Sequence, residues 1–373
     1  MKKKVIYLTV VFLLLFSCTN SKTPEYSFED VPIIIDMEAV KKDTLKIKYI
    51  KFIPLETTDD CLIGGYCKTM IKNNRIYLCD CSHANALFVF DMNGKYLFKI
   101  ARMGQGPGEY IRIMDFDIDK NGDIYLFDAG YGKRILVFDS TGKYIRTIQL
   151  EYNLGNFCLI DEKMYLSKPF DSRRRFACLV TYDMNNKKTE IILDNKYLFE
   201  LDDSNPFDFY HSPDSIIFYA PTFSKIIFSI DNEGIHPVIG VKNLKETPKS
   251  TIEEWLREDN YMERMKLRMQ NKYFTDLSYI FENENYISFT FINDRNFLFY
   301  NKHTKVTFQI PFSSLWDSLG SSLIQGSTGE SFFSVFTFDI EYKTHKKILE
   351  SREELKNWHE EDNPVIVLFD LDN

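Results

Sequence analysis

At 373 residues the chain has the length of two or three ordinary domains, but internal repeats allow a single large one instead. Aromatic residues make up 15% of it, with 32 Phe and 22 Tyr, as suits the pleated, half-buried surfaces of an all-β protein. A formal net charge of −8 argues against nucleic acid as a partner.

The chain opens with Lys2, Lys3 and Lys4, followed by an apolar run over residues 5–16 that is short for a membrane span. Residues 1–17 therefore read as an export signal. The junction Leu15-Phe16-Ser17-Cys18 resembles the lipobox of bacterial lipoproteins, in which the cysteine is lipidated and becomes the mature N-terminus. An ordinary secretory signal with an incidental cysteine is the other reading. A small residue before Cys18 and polar residues 19–27 after it favour the lipobox, and residues 18–45 are expected to be lipidated cysteine and tether. The membrane expectation is an acyl anchor in the lipid bilayer. By resemblance to lipoprotein sorting signals, Thr19 and the lack of an acidic run point to the outer membrane, with periplasmic or surface-facing display left open. Losing the three leader lysines takes the formal charge from −8 to −11, so the body should stand off anionic lipid.

Residues 46–56 have strand composition but precede the first full repeat. A closed ring must stitch its two chain ends together, because an unpaired edge strand invites aggregation. This segment is therefore expected to be the outer strand of the last blade, giving a propeller over residues 46–373. Blade one spans residues 66–100. Blade two is the clearest unit: a glycine-rich connector over residues 102–110, strands at 113–119, 124–128, 135–138 and 143–148, and turn chemistry at Asn121-Gly122 and Thr141-Gly142. Tyr77 and Phe90 of blade one recur at the same spacing as Tyr125 and Phe138.

The pattern then loosens. Strands are legible at 163–166 and 177–182 for blade three, at 215–219, 225–230 and 235–241 for blade four, and at 285–291, 296–300 and 305–310 for blade five. Blade six keeps 332–338 and 364–371. The fold class is thus a six-bladed β-propeller of four-stranded antiparallel blades with helical insertions. One helix is expected over residues 249–271, started by Ser250 or Thr251, and a shorter one over 346–359.

The run Gly104-Gln105-Gly106-Pro107-Gly108-Glu109-Tyr110, the strand pair after Asp117 and the segment from Arg134 to Asp139 resemble an NHL-type propeller repeat. Together with the lipobox, Ile53-Pro54-Leu55-Glu56-Thr57-Thr58 and Asp362-Asn363-Pro364-Val365, the chain resembles the six-bladed propeller lipoproteins common in Bacteroides-type bacteria. That resemblance implies a protein that binds ligands or partners.

Several residues are candidates for chemistry. Arg102, Glu109 and Tyr110 could touch a ligand, although the loop has no phosphate-binding lysine and also reads as an interblade connector. Asp115 and Asp117 alternate on the expected innermost strand, where they could line the central channel and hold calcium; a water-filled channel is the other reading. Arg173, Arg174 and Arg175 suit an anion or acidic glycan, or form a solvated loop. Trp255, with Tyr261 and Tyr273, could stack on sugar rings. Of six scattered histidines only His83 and His211 fall near the channel.

Six cysteines follow Cys18. Cys158 and Cys178 could meet, Cys79 and Cys81 sit poorly for a mutual bond, and Cys61, Cys67, Cys79 and Cys81 lack paired zinc-ligand spacing. Neither G-x-S-x-G nor H-E-x-x-H occurs. The functional expectation is an outer-membrane-anchored binding or scaffold module for a glycan, peptide or envelope protein. The competing expectation is a lyase or hydrolase with its site at a mouth of the channel, where several ionisable groups with perturbed pKa would gather.

Overall fold

Aspartates set the outer reversals of this fold. Asp91 Oδ1 accepts the N–H groups of Asn93 and Lys95 at 2.8 and 3.0 Å, and Asp139 Oδ1 accepts those of Thr141 and Lys143 at 2.9 and 3.0 Å. Each carboxylate thus closes a tight turn by occupying the backbone donors that the turn exposes. Gly94 and Gly142 complete these turns at φ 82°, a left-handed conformation that side chains resist. Asp183 and Asp231 hold the equivalent turns of blades three and four.

The computed structural model describes residues 26–372 except 43–45, 131–132, 152–153, 168–176, 195–207, 213–215, 259, 272, 275, 292–293 and 338–342. Its strands form six sheets, one per blade. Blade one, from the channel outward, is Lys68–Lys72, Arg75–Asp80, Ala86–Asp91 and Tyr96–Ile100. Blade two is Ile113–Ile118, Ile124–Asp128, Arg134–Phe138 and Tyr144–Gln149. Blades three to five begin with Phe157–Ile160, Phe209–His211 and Leu277–Glu282.

Blade six is Gly326–Ser327, Phe332–Phe336, Val365–Asp372 and then Lys46–Pro54. The N-terminal strand closes the ring as the sequence expects, antiparallel from Val365↔Pro54 to Asp372↔Lys46. Asn363 locks the seam. Its Nδ2 donates to Glu56 O and Cys61 O at 2.7 and 2.6 Å, and its Oδ1 accepts Ile63 N–H at 2.8 Å.

The propeller reaches further toward the N-terminus than residue 46. Ile33–Asp36 adds a fifth, parallel strand to blade four, and Lys41–Lys42 does the same for blade five. Part of the expected tether is therefore a strap that passes along blades four and five before entering blade six. Its hydrophobic run is short and flanked by polar residues, which hides it in the sequence, yet Ile35 is fully buried. Phe28 packs over Gly240, where a Cβ would lie 2.4 Å from its ring.

The core lies between blades. Tyr77, Leu87 and Val89 of blade one pack with Ile113, Phe116 and Leu126 of blade two, and all are buried. Truncating such an aromatic, as in Phe116→Ala, costs about 3–5 kcal/mol.

Strand order gives the disc two unlike faces. The first-to-second and third-to-fourth reversals, with their Asp turns, lie on one face. The opposite face carries the connectors from each outer strand to the next inner strand, the second-to-third loops and the described helices of eight or more residues. The segment 249–271 is two helices, Lys249–Arg257 and Tyr261–Gln270, not one. Asn260 breaks it, because its side chain accepts Met262 N–H and Glu263 N–H and so starts a second helix. The first helix starts after Pro248 without a side-chain cap, not at Ser250 or Thr251. The expected 346–359 helix is Lys343–Ser351 followed by the 3-10 turn Glu353–Leu355. A further helix, Phe312–Leu319, ends at Gly320 with φ 72°. No helix among the described residues is long and apolar enough to cross a membrane.

Candidate functional site

The innermost strands face the channel with an open edge whose N–H and C=O groups have no further strand to pair with. In blades two and three, side chains from the preceding blade fill that edge. Lys68 Nζ of blade one donates to Asp115 Oδ1 at 2.7 Å and to Phe116 O at 2.8 Å, and Lys72 Nζ donates to Ile118 O at 2.5 Å. Asp115 Oδ1 also accepts Phe116 N–H, and Asp117 Oδ1 accepts Ile118 N–H. Their other oxygens reach blade three, where Asp115 Oδ2 accepts Phe157 N–H at 3.0 Å and Asp117 Oδ2 accepts Leu159 N–H at 2.7 Å.

Burial governs the charges in this wall. It would lower the Lys68 pKa, but Asp115 and Asp117 outweigh it and hold the ammonium above its ordinary value. Burial raises Asp115 despite the opposing pull of Lys68. His211 of blade four lies with Nε2 3.5 Å from Asp117 Oδ1. Burial drives its pKa down to about 4, against the attraction of Asp117, so the imidazole is neutral at pH 7.

A cavity of about 40 Å³ adjoins this wall, lined among others by Lys68, Thr69, Phe209, His211, Gln325 and Phe333. It can hold ordered water, and it is small for a sugar ring or a peptide side chain.

The sequence candidates fall in several places. Asp115 and Asp117 lie on the innermost strand of blade two, but both are buried, and their oxygens serve Lys68 and backbone N–H groups instead of forming an open calcium shell. Among the described residues no group of three or more His, Cys, Asp or Glu side chains is arranged to hold a metal ion. Tyr110 is fully buried, and its hydroxyl lies 2.7 Å from Asn85 O and 3.0 Å from Ile100 O. Glu109 Oε2 folds back onto Gly106 N–H at 2.8 Å. Arg102 is exposed, and its carbonyl accepts Tyr110 N–H at 2.9 Å. The loop thus satisfies itself as a connector.

Trp255 is not the exposed aromatic that sugar stacking requires. It is 2% exposed and stacks on Phe223 at 6.4 Å. His83 is exposed beside Ser82, in the loop between the second and third strands of blade one. Cys18, Cys178's side chain and Arg173, Arg174 and Arg175 lie outside the described residues.

Lys68 and Lys72 were not singled out in the sequence. Their signal is two lysines on one face of an innermost strand, where charge is costly unless paired. The connector face also exposes apolar side chains: Leu62 at 55%, Met103 at 66% and Ile111 at 39%. Met114, 43% exposed, occupies the extra position where the register slips between Ile113 and Asp115.

Residues 32–370, nearly the whole of this fold, match the domain of unknown function DUF4934. The chain belongs to that family. This DUF4934 chain is similar in fold to a solved protein of Bacteroides fragilis NCTC 9343 described as exported, with a TM-score of 0.69 and 18% identity over 91% of this chain and 100% of that one. It is also similar to a DUF4221 member from Bacteroides vulgatus ATCC 8482, with a TM-score of 0.55 and 11% identity over 88% of this chain and 99% of the other. No curated protein matches the DUF4934 chain.

Proposed function

We propose that this DUF4934 protein is exported, anchored to the outer membrane through a lipid on Cys18, and uses its connector face to bind a protein or peptide of the cell envelope. The asymmetry of the two faces carries this reading. One face is built from short turns closed by their own aspartates. The other gathers the helices and exposes Leu62, Met103 and Ile111 on neighbouring connectors. Apolar side chains of this kind gain most by burial against another protein, at about 25 cal/mol per Å² of surface covered. A glycan partner is less well supported, because Trp255 is occupied by Phe223. The lipobox and the fold likeness to a protein described as exported support the location.

A channel-mouth lyase or hydrolase remains the competing reading, since ionisable groups do gather at Lys68, Asp115, Asp117 and His211. Their partners are mainly backbone groups of adjacent blades, which supports a wall over a reactive constellation.

Two measurements test the proposal. Cys18→Ser should move the protein from the membrane fraction to the soluble fraction. The pair Leu62→Glu and Met103→Glu should lower capture of an envelope protein by the purified, folded propeller at least tenfold while leaving its melting temperature unchanged. Equal capture would refute the assignment of the face.

A further inference from the structure

The connector end of blade two presents free positive charge beside exposed apolar side chains. Arg102 O accepts Tyr110 N–H at 2.9 Å, and Met103 forms a β-bridge with Tyr110, so the two ends of the connector lie side by side. Arg102 and Met103 are thereby set next to Ile111 and Arg112, and all four are exposed. The same end continues into the loop between the second and third strands. Ala129 N–H donates to Arg112 O at 2.9 Å, a Cβ on Gly130 would lie 2.2 Å from Ile111 Cβ, and Lys133, also exposed, closes the loop. Asp128 Oδ1 accepts both Ile111 N–H and Arg112 N–H at 3.1 Å, which fixes the backbone that carries these side chains.

The protein does not neutralise these cations itself. Among the described residues the side chains of Arg102, Arg112 and Lys133 have no hydrogen-bond or ion-pair partner. Of the nearby carboxylates, Glu109 is turned onto Gly106 N–H, Asp128 is fully buried against Arg134, and Glu151 lies beyond Leu150 at the outer edge. The turn face treats its lysines differently, since Lys120 reaches Asp161 at 2.9 Å and Lys302 reaches Glu282 at 2.8 Å. A chain with a formal net charge of −8 thus leaves cations unpaired around Met103 and Ile111.

We propose that the segment bound here is an acidic peptide stretch of the partner, whose carboxylates meet Arg102, Arg112 and Lys133 while an apolar side chain between them covers Met103 and Ile111. This rests on the connector face being the binding face, and it names the chemistry of what that face takes. An arginine fork donates two parallel N–H bonds to one carboxylate, and the fixed backbone leaves little ordering to be done on binding. Apolar contact adds to the charge pairing, because Met103 and Ile111 lose exposed surface when covered. An anionic bilayer fits less well. It would bring a broad negative surface against a net-negative body, whereas one extended peptide reaches the patch alone.

The test uses the purified full-length protein and a fluorescein-labelled peptide of alternating Glu and Leu, read by fluorescence anisotropy. The peptide should bind, and its affinity should fall about tenfold when salt is raised from about 50 mM to about 500 mM, because exposed charges are screened. Arg102→Glu combined with Arg112→Glu should weaken binding by about tenfold or more at low salt, with an unchanged melting temperature. A Lys/Leu peptide of the same pattern and phosphatidylglycerol vesicles should not bind. Failure of the Glu/Leu peptide to bind, equal binding of the Lys/Leu peptide, unchanged affinity in the charge-reversed variant, or binding of vesicles in place of the peptide overturns the proposal. Capture of the envelope protein separates this from the assignment of the face. Capture lost in the Leu62→Glu, Met103→Glu pair but kept in the Arg102→Glu, Arg112→Glu pair leaves the face assigned and overturns the acidic chemistry; capture kept in both overturns both.

Discussion

Lys68 and Asp115 form an ion pair across the boundary between blades one and two, Nζ to Oδ1 at 2.7 Å, with both side chains at most 10% exposed. The pair is also a backbone device. Lys68 holds Phe116 O, and Asp115 holds Phe157 N–H of the third blade. Lys68→Met leaves a buried carboxylate without its counter-charge and should cost about 3–5 kcal/mol in urea unfolding. Adding Asp115→Leu removes the stranded charge but strands Phe157 N–H, so the double variant should stay below wild type. Recovery to wild-type stability would mean that the backbone contact contributes nothing.

His211 gives the protein a pH dependence with a definite sign. Its folded pKa of about 4 lies below the unfolded value of about 6.5, so the unfolded chain binds the extra proton between those values. The stability that the neutral, half-buried ring represents is complete above about pH 6.5 and is lost as pH falls toward 4. A loss of up to about 3 kcal/mol is expected from this residue. Urea midpoints measured at pH 7, 6 and 5 should fall less steeply in His211→Gln than in wild type. Identical slopes would show that the ring is freely protonated in the folded state.

Asp128 is the keystone of the connector into blade two. Its Oδ1 accepts the N–H groups of Ile111, Arg112 and Gly130, and its Oδ2 accepts Arg134 at 2.6 and 2.9 Å. Asp80 performs the same task in blade one for Gly64, Gly65 and His83. Asp128→Ala should therefore lower stability by about 3–5 kcal/mol in chemical denaturation. A change under 1 kcal/mol would mean that the connector holds itself.

The N-terminal strap and the closing strand should fail differently. Deletion through residue 45 removes the parallel strands on blades four and five but keeps Lys46–Pro54 on Val365–Asp372, so a folded protein with a lower melting temperature is expected. Deletion through residue 54 leaves Val365–Asp372 as an open edge and should yield aggregate on size exclusion. A monomeric, cooperatively melting product of the second deletion would refute the seam.

Blade number, strand order and the closing role of residues 46–56 were legible because alternation and turn chemistry are local. The strap was not, since Ile33–Asp36 gains its meaning only from the edge of a blade some two hundred residues away. The helix break was partly legible, because Asn260 is a good cap, but nothing nearby signals that Pro248 displaces Ser250 and Thr251. The place of Asp115 and Asp117 on an innermost strand was legible. That they serve the backbone of blade three depends on where Phe157 and Leu159 lie, which no local pattern records. Trp255 looked available because charged residues surround it in sequence, whereas in the fold it is buried and stacks on Phe223, from a loop in blade four.

Site-specific photo-crosslinking in intact cells tests the central claim most directly. A photoreactive residue placed at Met103, on the connector face, should yield one discrete adduct with an envelope protein, lost when Leu62→Glu is added. The same residue at Asn93, in the Asp91 turn of the opposite face, should yield none. Adducts from Asn93 but not from Met103 would contradict the account.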